Sequence, residues 1–269
     1  MSLPAEDGLS LDQAPPLSIP AGFFLLAPVA IAAAGALLAV QGIAPLVAGG
    51  TPGSGALTHL GTLGFLGSVM LGALYQMIPV VAGAPVPMVR LAHGVHAAWV
   101  IGVGLLVSAF LVGSPALWGA AGVALGLALL GFCGPVGLAL GRSPSRTWTR
   151  AGMRVAVGAL AGVGTLGLAF VAIRAAGWLP PGYQPLTWKT AHLGLGLSTW
   201  VGGLMVAVSW QVLPMFYLAG EVRSAARAAI TLCAAATLVL LPGALLLGGS
   251  RALVLGALAP AGLAAWVLQ

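Results

Sequence analysis

Four histidines carry most of the chemistry available to this chain: His59, His93, His96 and His192. Each lies within or at the edge of a long apolar run. An ionisable residue at membrane depth is costly to bury and is a functional candidate by default. Neutral imidazole is the least costly of these groups and a common metal ligand. His59 and His192 share a local context. One stretch reads Thr58-His59-Leu60-Gly61 and ends in Gln76-Met77-Ile78-Pro79; the other reads Ala191-His192-Leu193-Gly194 and ends in Gln211-Val212-Leu213-Pro214. Met70 and Met205 each stand six residues before the Gln. The His-to-Gln separation is 17 residues in one stretch and 19 in the other, so the two Gln face differently relative to their His. A bulge in the later stretch, at Gly202-Gly203, would absorb that difference.

Two imidazoles at one depth on two helices of like direction can hold an iron porphyrin, one nitrogen above the ring and one below. Gly61, Gly64 and Gly67 offer a small-residue face for the macrocycle, as do Gly194 and Gly196 on the other helix. The propionates would need donors near the interface. Lys189 stands one turn before His192, with Trp188 and Arg251 as helpers. The competing reading is that each His bridges helices through a hydrogen bond. His93 and His96 are three apart and share one helix face. One helix cannot lie on both faces of a haem, so they are not its two trans ligands. They would bind a metal (copper is left open), ligate a second haem with another helix, or contact a quinone headgroup. Gln76 and Gln211 fall about 25 Å below His59 and His192. That puts them in the same layer as His93 and His96, with Tyr75 and Arg90, and makes a candidate quinol pocket. Hydrogen bonding at a helix start is the plainer alternative for this layer.

The elements that must position these residues follow from composition. Of 269 residues, 60% are hydrophobic and 5% charged, with a mean hydropathy of +1.09. A soluble domain carries roughly a quarter charged residues. These values exclude a soluble enzyme, a nucleic-acid binder and a disordered chain. An all-α polytopic membrane protein remains, its partner the lipid bilayer. A span needs about 20 apolar residues. Eight candidates meet this: Phe23–Val47, Ala56–Val81, Leu91–Val112, Pro115–Leu140, Ala151–Ala176, Thr187–Leu218, Ala225–Leu247 and Arg251–Gln269. The like motifs on the second and sixth spans suggest two parallel four-helix repeats, 21–140 and 141–269, behind a tail of residues 1–20. Arg90, Arg142, Arg146, Arg150, Arg154, Arg223 and Arg227 fall on one side, and Arg174, Lys189 and Arg251 on the other. The side richer in Lys and Arg is cytoplasmic. Both termini are therefore expected there, in a bacterial-type inner membrane. Residues 1–20 are acidic and Pro-rich and do not read as a cleavable signal. Cys133 and Cys233 sit in apolar runs without ligand spacing.

The stretch His59-Leu60-Gly61-Thr62-Leu63-Gly64-Phe65, continuing through Gly72-Ala73-Leu74-Tyr75-Gln76-Met77-Ile78-Pro79-Val80 to Gly83, resembles the second helix of the haem–copper oxidase subunit I superfamily. That superfamily includes the nitric oxide reductases and short membrane haem proteins linked to nitric oxide stress. The resemblance implies that His59 faces the outer side and ligates a low-spin haem b. It implies that the second ligand comes from an equivalent later helix, where His192 stands. It covers about 30 residues well and the sixth span loosely. The chain departs from the family elsewhere. It has no His-His pair for copper, no His-x-x-x-Tyr pattern and no Asp or Glu inside a span. Oxygen reduction with proton pumping is not expected from it. Haem A synthases also have eight helices in two halves, but carry His on all even-numbered helices and acidic residues in the outer loops. Here the fourth and eighth spans have no His, and the outer loops no carboxylate.

The expected function is a membrane haem-b protein for electron transfer or for nitric oxide or oxygen chemistry, served by a quinol or cytochrome. Assembly as a homodimer is left open. The competing classes are a transporter and a cofactor-free assembly or structural subunit. The absence of carboxylates from the spans argues against coupled transport.

Overall fold

The computed structural model describes residues 11–181, 183–246, 254, 255 and 257. Among them every regular element is helical. Seven helical stretches are long and apolar enough to cross a membrane. The first is α1 (Ser18–Gln41), followed by a single turn, α2 (Ala44–Val47). The second span is composite: α3 (Pro52–His59), a π-helical segment (Leu60–Gly67) and α4 (Ser68–Ala82). Then come α5 (Leu91–Val112), α6 (Pro115–Arg142) and α7 (Trp148–Ala176). The sixth span repeats the composite pattern: α8 (Pro185–Gly194), a π-helical segment (Leu195–Gly202) and α9 (Gly203–Tyr217). Last is α10 (Ser224–Leu246). The eighth expected span, Arg251–Gln269, lies outside the described residues apart from three positions.

Local chemistry explains the boundaries. Pro52, Pro115 and Pro185 open their helices, where a missing N–H costs nothing. Thr51 caps α3, its Oγ1 accepting from the Ser54 N–H at 3.1 Å. The first span ends earlier than the expected Val47. Gly42 turns the chain at φ +65°, a region open to glycine, and Pro45 then starts a separate turn. Gly113 stops α5 at φ +75° in the same way.

The described residues form two compact units. One runs up to Ser143 and includes Leu168–Trp178; the other comprises Pro144–Gly167 and the residues from Leu179 onward. The first unit is centred on Phe23, Leu71, Leu74, Tyr75, Ile78, Trp99 and Phe132, all fully buried. Close helix approach is made by glycine. A methyl at Gly102 would lie 2.7 Å from Leu125, and one at Gly72 would lie 2.9 Å from Phe23. In the second unit Trp210 packs with Ala207 and Ile230, flanked by Trp148 and Cys233. Large apolar side chains such as Leu25, Val29, Val123, Leu127 and Leu130 lie exposed. That would be a liability in water and is ordinary against lipid.

The two composite spans share their element order. Each has a π segment of eight residues followed by an α-helix of 15, ended by a residue in the left-handed region: Gly83 at φ +58° and Leu218 at φ +51°. A bulge confined to the sixth span was expected to take up the two-residue difference in His-to-Gln spacing. The π segment does end at Gly202, but the second span has an equal one. The two extra residues lie between His192 and its π segment: His59 directly precedes Leu60, whereas His192 stands three residues before Leu195.

Candidate functional site

A π segment follows each histidine, directly after His59 and three residues after His192. Long π stretches are rare and frequently mark functional sites. Here the N–H of Ser68 reaches the Leu63 carbonyl and that of Gly203 reaches the Ser198 carbonyl, each five residues back. The last residue of each segment is glycine for a shared reason. A methyl at Gly67 would lie 3.1 Å from the Thr62 carbonyl oxygen, and one at Gly202 would lie 3.2 Å from that of Leu197. The first segment is pinned from outside. Trp99 Nε1–H donates to Ser68 Oγ at 3.0 Å, and that hydroxyl donates to the Leu63 carbonyl at 3.2 Å.

His59 is the last residue of α3. Its Nδ1 lies 2.8 Å from the carbonyl oxygen of Gly55, one turn earlier. A carbonyl only accepts, so Nδ1 carries the proton and Nε2 keeps its lone pair. A metal-ligating imidazole whose other nitrogen is held by a backbone carbonyl has this same tautomer. The ring stacks on Phe110 of α5, with centroids 5.0 Å apart and planes 29° apart. Phe110 meets Trp118 of α6 edge-on at 4.7 Å, and the Arg174 guanidinium lies over the Trp118 ring at 5.9 Å. His59, Phe110, Trp118 and Arg174 thus form one line within the first unit.

The glycine face expected beside His59 is mostly consumed by helix packing. A methyl at Gly64 would lie 2.6 Å from the Ala30 Cβ, and one at Gly67 would lie 2.9 Å from Trp99. Gly61 is different, with nothing among the described residues within 4 Å of the position a methyl would take. In the second unit His192 is half-buried and its ring lies against α7, 3.3 Å from where a Gly167 methyl would sit. A methyl at Gly196 would meet Val163 at 3.3 Å. Lys189 is exposed, and Trp188 is half-buried, edge-on to Tyr183 at 5.4 Å. Arg251, the third expected propionate contact, lies outside the described residues.

His93 and His96 differ in their surroundings. His93 is exposed, whereas the His96 ring packs edge-on against Phe23 at 5.0 Å. Among the described residues the buried His96 Nε2 has no hydrogen-bond partner. Gly22 leaves room for this ring, since a methyl there would lie 3.5 Å from Cε1. Tyr75 is enclosed by Phe23 at 5.7 Å and Phe132 at 5.2 Å. Arg90 is exposed and Gln76 half-buried. Phe23 meets both Tyr75 and His96, so an aromatic cluster joins these two members of the expected layer. Gln211, in the second unit, is half-buried. Among the described residues no three His, Cys, Asp or Glu come together as a metal-ion group. An axial imidazole on an iron porphyrin does not require such a cluster.

Sequence reasoning missed Gly55, Phe110, Trp118 and Arg174. Only Gly55, one turn before His59, offered a local signal. The others approach His59 from α5, α6 and α7. Comparison with protein-family models, with curated proteins and with solved structures found no match.

Proposed function

We propose that this chain is an integral membrane haem-b protein related to haem–copper oxidase subunit I, with His59 and His192 as the axial ligands. The observation that carries this reading is the His59 Nδ1 contact with the Gly55 carbonyl at 2.8 Å, which leaves Nε2 as a free donor atom. Bound there, a haem would supply one-electron transfer, or nitric oxide or oxygen binding. The chain's own part is to hold the imidazole in the ligating tautomer and to keep water away. We read the chain as an internal repeat in which each copy contributes one His-bearing composite span. The matching π segments, and the helix-opening prolines seven residues before each His, support this. The cytoplasmic placement of both termini, in a bacterial-type inner membrane, rests on the distribution of Arg and Lys.

The test is a visible spectrum of the detergent-purified protein from haem-replete cells, oxidised and dithionite-reduced. The expected result is a Soret band with sharp α and β bands on reduction, lost or converted in His59→Ala and in His192→Ala. A colourless wild-type protein refutes the reading.

A further inference from the structure

We propose that Phe110 is a positioning residue that sets the plane of the His59 imidazole, and that position 55 is glycine to let Phe110 reach it. The inference rests on the haem reading above. Two different contacts hold the ring. The Gly55 carbonyl fixes which nitrogen faces the backbone and turns the other away. A single hydrogen bond leaves the ring free to tilt about that contact. The stacked Phe110, at 5.0 Å and 29°, removes this freedom. Phe110 is itself held: Trp118, nearly fully buried, meets it edge-on at 4.7 Å and carries the Arg174 guanidinium on its ring. Gly55 completes the arrangement. A methyl there would run into the Phe110 ring atoms, so any larger residue displaces the stack. The same glycine thus supplies the carbonyl that orients His59 and the space for the ring that flattens against it. Outer contacts that orient a ligating His tune the metal it binds.

The experiment uses the full chain in detergent and reads haem-to-protein ratio and the g values of the low-spin iron by electron paramagnetic resonance. Phe110→Leu is expected to keep the haem ratio and shift the highest g value, whereas Phe110→Tyr keeps both at wild type. Gly55→Ala is expected to shift the g value through the displaced ring. Added to Phe110→Leu it should then have little further effect, because the two changes act on one contact. Wild-type g values in Phe110→Leu overturn the proposal. So does a Gly55→Ala effect that is undiminished on top of Phe110→Leu. If Phe110→Leu does not fold, wild-type g values in a folded Gly55→Ala overturn it equally. A haem-free wild type refutes the haem reading itself, and is distinct from a haem-loaded wild type whose g values ignore Phe110.

Discussion

Replacing Ser68 by Ala tests what holds the first π segment in register. Ser68 is completely buried, and Trp99, whose indole N–H it accepts at 3.0 Å, is 1% exposed. The hydroxyl also donates to the Leu63 carbonyl at 3.2 Å, but that oxygen keeps a second donor in the Ser68 backbone N–H. The loss therefore falls on the Trp99 N–H, which is left buried without a partner. A neutral donor in that position costs about 1–3 kcal/mol. Hydrogen bonds between membrane helices average about 0.6 kcal/mol and reach about 1.7, because the unfolded state in the membrane also finds partners. The second figure applies in a bilayer or micelle. The expected destabilisation is thus about 0.6–1.7 kcal/mol. Trp99→Phe removes the donor and some packing, so the interaction is isolated by the double-mutant cycle, with an expected coupling of about 1 kcal/mol. Pulse proteolysis across a rising SDS fraction in mixed micelles measures all four proteins. A coupling indistinguishable from zero, or an unchanged Ser68→Ala, would show that the Trp99–Ser68–Leu63 chain does not hold this segment.

The glycines separate packing from ligand space. Gly64→Ala should destabilise the protein by about 1–3 kcal/mol in the same assay, since its methyl meets Ala30. Gly61→Ala should leave that stability unchanged, since its methyl meets nothing, and a fall in haem content at unchanged stability would place a macrocycle edge there. Ser143→Ala removes the buried hydroxyl that donates to the Ala82 carbonyl at 2.6 Å, and should cost about 1 kcal/mol by micelle unfolding. His93→Ala, at an exposed site away from the His59 line, should leave the reduced haem spectrum intact; a changed α band would contradict this separation. Arg174→Gln removes a cation–π contact with Trp118 and should cost about 0.5–1 kcal/mol, with the haem ratio kept.

Much of the helical layout was legible because it depends on local chemistry. Apolar runs too long for any other membrane-compatible backbone must be helices. The start of α5 at Leu91 and of α6 at Pro115, and the end of α7 at Ala176, coincide with Arg90, Ser114 and Gly177, which punctuate the apolar pattern. The end of α1 was missed because Gly42 breaks the helix while the apolar pattern runs on to Val47. Hydropathy cannot register a turn made at a glycine and followed at once by Ile43 and Ala44.

The sequence by itself determined the membrane-spanning helices, the scarcity of ionisable groups and the placing of two histidines each seven residues into a proline-started helix. It did not determine what those histidines touch. The π segments arise from hydrogen bonds that slip by one residue, and slippage changes no composition; Gly67 and Gly202 are its trace, visible only once the facing carbonyls are known. Two of the three glycines read beside His59 as a porphyrin face are met by Ala30 and Trp99, which come from other helices. Tertiary packing leaves His93 exposed and sets His96 against Phe23. Helical periodicity says which residues share a face; only the packing of α1, α5 and α6 decides which part of that face is covered, because side-chain contacts between helices depend on distances that no local pattern encodes.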